Sequence, residues 1–176
     1  MKIVRDIAAL RAAVAALGPL AFVPTMGSLH AGHVSLVRLA RAQAGAVAVS
    51  IFVNRLQFGP GEDFERYPRS FEGDRRLLEA EGVELLFAPA EGVLYPRAQT
   101  VIVHPGPLGE ELEGRFRPGF FQGVATVVLK LLNAVRPAAA VFGKKDYQQL
   151  AVVREMVRQL DLRSEEHTSE LQSLAY

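Results

Sequence analysis

The residues best suited to chemistry lie in one decapeptide, Pro24-Thr25-Met26-Gly27-Ser28-Leu29-His30-Ala31-Gly32-His33. His30 and His33 are three apart, so on a helix they share a face. An imidazole is neutral or cationic near neutral pH, which suits it to charge developing on phosphate oxygens. An apolar run, Leu20-Ala21-Phe22-Val23, leads in, and a helix-patterned run, Val34 to Ala42, leads out. The decapeptide therefore reads as a turn from strand to helix, with both histidines in the first helical turn. Backbone N–H groups there lack intrahelical partners and sit at the positive end of the helix dipole. A phosphate can sit on such an end. Gly27 and Gly32 allow a bend and a close approach of ligand to backbone. The combination points to nucleotide activation rather than simple anion storage. A metal site is the competing reading of His-x-x-His. Against it, the chain has no Cys, and His104 and His167 lie far along the sequence.

Those residues need elements to hold them. Ile7 to Leu17 is Ala/Leu-rich and stopped by Gly18-Pro19, which predicts a helix. Leu20 to Val23 predicts a short buried strand, and Ala46 to Val53 a strand covered on both faces. Phe71 to Glu81, closed by Gly82, predicts a helix, and Val83 to Phe87 a strand. Val101-Ile102-Val103 predicts a further short strand. Phe121 to Val135 predicts a long apolar helix, Ala138 to Phe142 a strand, and Tyr147 to Leu160 a last helix. Strands alternating with helices argue a parallel α/β sheet. Ligands of such sheets bind beyond the carboxyl ends of the strands. Val23-Pro24, Val53-Asn54 and Phe142-Gly143 all fall at such ends, so three distant segments are expected to meet in one cleft.

Composition bounds the function classes. The chain has 176 residues, 49% hydrophobic and 22% charged, with a net charge of +1. That suits one domain with a substantial core. The near-neutral balance, without a basic arm, gives no reason to expect a nucleic-acid or membrane partner. The absence of Cys is compatible with a cytoplasmic location. The segment from Met1 to Asp6 lacks the apolar core of a signal peptide.

Four segments together carry a resemblance. They are the decapeptide; Val49-Ser50-Ile51-Phe52-Val53-Asn54 with Gln57-Phe58-Gly59; Glu62-Asp63 with Tyr67-Pro68-Arg69; and Phe142-Gly143-Lys144-Lys145-Asp146-Tyr147-Gln148-Gln149-Leu150. In order and spacing, residues 1 to 162 resemble the pantothenate synthetases (pantoate–β-alanine ligases). These belong to the His-x-Gly-His nucleotidyltransferase superfamily. The resemblance implies a Rossmann-like α/β fold with helices on both faces of a parallel sheet. It implies ATP-dependent joining of (R)-pantoate to β-alanine through pantoyl adenylate, releasing pyrophosphate and then AMP.

Site residues follow from the same resemblance. Pro24 through His33 and Phe142 through Asp146 would bind ATP. His30, His33 and Lys145 would stabilise the reacting phosphate, with His33 also a proton donor. Met26, Gln57 and Gln149 would bind pantoate, and an amide suits a substrate with hydroxyls and a carboxylate. Asp74 would lie near Mg2+, the ion expected with ATP. Asp146 also reads as a helix cap. Arg55 and Lys144 stand where the family commonly has Pro and Glu. A homodimer and a cytoplasmic enzyme are further implications. The alternatives are nucleotidyl transfer to another acceptor, or a nucleotide-binding fragment of low activity. Residues 163–176 read as polar, acidic and non-native, with the family's second phosphate loop and C-terminal lid domain expected to be missing.

Overall fold

A computed structural model of the chain describes residues 1–59, 61–62 and 64–162, so the expectation about 163–176 lies outside the described residues. Five strands form one parallel sheet: β1 (Lys2–Val4), β2 (Leu20–Thr25), β3 (Ala46–Ile51), β4 (Leu85–Phe87) and β5 (Ala139–Ala140). Their order is β1-β4-β3-β2-β5. Phe22 lies opposite Ala48, and Val49 opposite Leu86. Side chains alternate across the sheet. Leu20, Phe22, Ala48 and Phe87 point to one face, packed with α1 (Ile7–Leu17), α6 (Phe120–Val135) and α7 (Tyr147–Gln159). Ala21, Val23, Val47, Val49 and Leu86 point to the other, under α2 (Ala31–Gln43) and α3 (Phe71–Ala80). Two one-turn helices, α4 (Glu91–Leu94) and α5 (Glu113–Phe116), complete the set. Helices on both faces explain why the central strands are apolar runs rather than alternating ones. No helix among the described residues is long and apolar enough to cross a membrane.

Four elements differ from the sequence reading. Val101 to Val103 is not a strand. Val101 is 80% exposed and Ile102 49% exposed. The Val103 N–H donates to Thr126 Oγ1 of α6 at 3.0 Å instead of to a sheet ladder. β-branched composition favours a strand only through packing and pairing in context, and here the segment is tied to α6 rather than to either edge of the sheet formed by the described residues. Lys2–Val4, too short to give a period, was not anticipated, and it pairs in parallel with β4. The one-turn helices α4 and α5 had no counterpart in the sequence reading either, and elsewhere boundaries move. β2 continues through Pro24 and Thr25, and α2 begins at Ala31, so that His30 is its N-cap while His33 lies in its first turn.

Candidate active site

A cleft of about 570 Å3 opens beyond the carboxyl ends of β2, β3 and β5. It gathers most of the residues singled out above. Pro24, Thr25, Met26, His30, Gly32 and His33 come from the end of β2 and the start of α2. Gln57 comes from the turn after β3. Phe142, Gly143, Lys145, Asp146 and Gln149 come from the β5–α7 connection. Gly27, Ser28, Leu29, Ala31 and Lys144 do not line it, and Gly27 and Asp74 border a separate, smaller cleft of about 420 Å3.

The turn before α2 is held from outside its own segment. Gly27 has φ +85° and Ser28 φ +53°. Ser28 is thus a left-handed non-glycine residue, a conformation that persists only where the surroundings enforce it. Asp74 of α3 enforces it. Its Oδ2 accepts from the Ser28 N–H and its Oδ1 from the Leu29 N–H, both at 2.9 Å, and Oδ1 also accepts from Ser70 Oγ at 3.0 Å. A Cβ on Gly27 would lie 3.1 Å from Asp74 Oδ2, so a side chain there would crowd the carboxylate.

The expectation that free backbone N–H groups await a phosphate needs correction. Those of Ser28 and Leu29 are engaged by Asp74. Those of His30 and Gly32 are engaged by the histidines. His30 is the N-cap of α2, and its Nδ1 accepts from the Gly32 N–H at 3.0 Å. His33 Nδ1 accepts from the His30 N–H at 3.3 Å, closing a reciprocal capping box. Gly32 therefore lies within the helix rather than at a bend. With Nδ1 used as an acceptor, each neutral ring carries its proton on Nε2. The two rings stand 4.2 Å apart. Burial, then the neighbouring His30, holds the His33 pKa below 6.5; Asp74 and Asp146 oppose the shift in part. At neutral pH His33 is thus an uncharged Nε2–H donor. Lys145 brings an ammonium side chain to the same cleft. Asp146 occupies the N-cap position of α7 but makes no side-chain cap bond.

Gln57 is buried in a 3-10 turn, Arg55–Gln57. The turn closes without proline: the Gln57 N–H donates to the Asn54 carbonyl at 3.1 Å, and the Phe58 N–H to the Arg55 carbonyl at 3.0 Å. The Arg55 guanidinium points away to Glu91 and Glu65 and over the Phe64 ring. Gln57 Oε1 accepts from Asn54 Nδ2 at 2.9 Å, and the Gln57 carbonyl accepts from Arg117 Nη2 at 3.2 Å. Against this turn lies α6, whose Gly123 makes the contact possible: a Cβ there would sit 2.0 Å from the Leu56 carbonyl oxygen.

The far wall of the cleft was not anticipated. Val124, Val127, Val128 and Leu131 of α6 line it with Leu36 and Phe52, and Tyr67 adds a phenol. The α6 sequence signals only a buried apolar helix, because core-facing and cleft-facing valines look alike. Tyr67 offered a signal through its place in the Tyr67-Pro68-Arg69 segment.

Asp74 has the surroundings of an anchor rather than of a metal ligand. It is 3% exposed and already accepts three hydrogen bonds. No group of three or more His, Cys, Asp or Glu among the described residues could hold a metal ion. The described residues thus form no all-protein cage for a metal ion, and the Asp74 carboxylate is engaged in holding the turn before α2.

Comparison with known proteins converges on one family. Residues 2–172 match the family model described as pantoate-beta-alanine ligase. The chain is 62% identical to the pantothenate synthetase of Thiobacillus denitrificans over 163 residues, covering 92% of this chain and 58% of that protein. It is 58% identical to that of Nitrosospira multiformis over 162 residues, with the same coverage of both. The chain thus spans a little under three-fifths of the length of these curated relatives. Among solved structures, the Thermus thermophilus enzyme superposes with a TM-score of 0.89 at 51% identity, covering 99% of this chain and 60% of that one. The Francisella tularensis pantoate-beta-alanine ligase, crystallised with a β-γ ATP compound and β-alanine, gives a TM-score of 0.89 at 35% identity, covering 99% of this chain and 66% of that one. With the whole sheet, the His-x-Gly-His turn and the sequence all in agreement, this chain belongs to the pantoate-beta-alanine ligase family.

Proposed function

We propose that the cleft binds ATP and (R)-pantoate and forms pantoyl adenylate, which β-alanine then converts to pantothenate. The carrying observation is the convergence in one cleft of phosphate-directed donors and uncharged acid-binding amides. His30 and His33 present Nε2–H, Lys145 presents an ammonium, and Gln57 and Gln149 present amides beside an apolar wall. The pantoate carboxylate attacks the α-phosphorus of ATP, and the bond to the β,γ-diphosphate breaks, releasing pyrophosphate. Negative charge grows on the phosphate oxygens, where the imidazole N–H groups and Lys145 stabilise it. The amine of β-alanine then attacks the acyl carbon, AMP leaves, and an amide forms. The glutamines orient the acid, and the valines of α6 accommodate its branched aliphatic body. No step of this reading runs through a protein-held metal. The bound nucleotide and β-alanine of the Francisella tularensis relative support it. A homodimer and a cytoplasmic location belong to the same reading, and the exposed apolar Val101 and Ile102 offer surface for a second copy.

ATP–pyrophosphate exchange with and without (R)-pantoate tests the assignment. Pantoate-dependent exchange is expected, and Gln57→Ala and Gln149→Ala should weaken pantoate binding more than ATP binding. Exchange that ignores pantoate would instead indicate nucleotidyl transfer to another acceptor. ATP binding with no exchange would indicate a nucleotide-binding fragment.

A further inference from the structure

Gln57 is the inward end of a hydrogen-bond chain whose polarity is decided away from the cleft. Asn54, fully buried, stands 3.0 Å from the Gly123 carbonyl oxygen. A carbonyl can only accept, so the Asn54 atom facing it is Nδ2. The same Nδ2 donates its second hydrogen to Gln57 Oε1 at 2.9 Å. Asn54 Oδ1 is thereby turned the other way, where it accepts from the Tyr95 hydroxyl at 2.8 Å. Each bond fixes the next. The outcome is that Gln57 turns its oxygen inward and has its Nε2–H2 left for a ligand. Tyr95 closes the chain at its outer end. Its ring packs near Phe52, 6.0 Å between centroids, and under the Lys130 ammonium at 4.9 Å. Burial raises the Tyr95 pKa far above its ordinary value, so its hydroxyl keeps the proton it donates.

We propose that Tyr95 is a positioning residue for substrate selection: through Asn54 it holds the Gln57 amide with its N–H2 toward the cleft, so this point accepts an oxygen lone pair of an organic acid and disfavours a donor. The proposal rests on reading the cleft as the pantoate site. Without the Tyr95 hydroxyl, a buried Asn54 oxygen loses its donor. The Asn54 amide then tilts or admits water, and the Gln57 amide is no longer held in one orientation.

Tyr95→Phe on the 176-residue protein removes the hydroxyl and keeps the ring contacts. Two measurements separate the relay from the functional reading. In the ligand-free protein, the Gln57 side-chain amide signal, identified by its loss in Gln57→Ala, should shift or broaden in Tyr95→Phe. An unchanged Gln57 signal would overturn the relay. In calorimetric titrations, Tyr95→Phe should weaken (R)-pantoate by about fivefold, the worth of one ordinary hydrogen bond. ATP affinity should stay within about twofold, and discrimination against the neutral primary amide of pantoate should fall. Equal losses for pantoate, its amide and ATP would mean a general structural role and would overturn the proposal. A responsive Gln57 signal in a wild-type protein that does not bind pantoate would uphold the relay and sink the acid-site reading.

Discussion

His33 shows how one side chain serves structure and chemistry through different atoms. Nδ1 caps the helix, and Nε2 is left for the cleft. The two roles agree only while the ring is neutral, because protonating Nδ1 removes the acceptor that closes the capping box. Burial and His30 lower its pKa below 6.5. The unfolded chain therefore binds this proton more readily than the folded one. The contribution to stability is fully present above pH 6.5 and is lost as pH falls from there through the lowered folded value. His33→Gln retains a side-chain acceptor at the third helical position, as capping boxes do. Its stability at about pH 8 should stay within about 1 kcal/mol of wild type, the usual worth of a cap. Its stability should also fall less steeply on acidification. Urea unfolding across that pH range checks this, and parallel pH profiles would mean that His33 titrates normally.

At the scale of elements, the turn between β2 and α2 depends on α3. A left-handed residue such as Ser28 costs on the order of 1–3 kcal/mol unless its surroundings compensate, and the Asp74 carboxylate does so through two backbone donors. Asp74→Asn leaves one oxygen and places an N–H2 group where the other stood. It should destabilise the protein by about 1–3 kcal/mol, the cost of leaving a buried donor unmatched. ATP affinity should fall with it, because His30 and His33 ride on this turn. The magnesium concentration supporting half-maximal ATP binding should not change. ATP titrations at several magnesium concentrations distinguish this from direct coordination, which would raise the metal requirement sharply.

At the scale of the whole molecule, the cleft exists because helices from both faces of the sheet reach past the strand ends. α2 comes from one face, and α6 and α7 come from the other. β5, only two residues long, carries the Lys145 segment at the sheet edge. A ligand touching all of these binds the folded chain and not the unfolded one. ATP at about a hundred times its Kd should therefore raise stability by about 2.7 kcal/mol, seen as a melting point several degrees higher. Lys145→Ala should reduce the shift at the same ATP concentration. An identical shift in that variant would remove Lys145 from the nucleotide site.

The sequence by itself determined the layered α/β plan and the meeting of three motifs. Both follow from signals local along the chain: apolar runs of strand length, helical periods, and chemistry-bearing residues just past strand ends. The strand at Leu20 to Val23 and the helix at Tyr147 to Leu160 were legible for that reason, to within a residue or two of their ends. Val101 to Val103 was misread because its β-branched composition is local, whereas its tie to Thr126 of α6 is a tertiary contact. Tertiary structure alone decided which polar groups face the ligand. The Ser28–Asp74 bond spans 46 positions and the Asn54–Gly123 bond spans 69. Contacts at such separations have no period and no spacing rule. They arise where the sheet brings its strand ends together, and there hydrogen-bond donors must find acceptors whatever their distance along the chain.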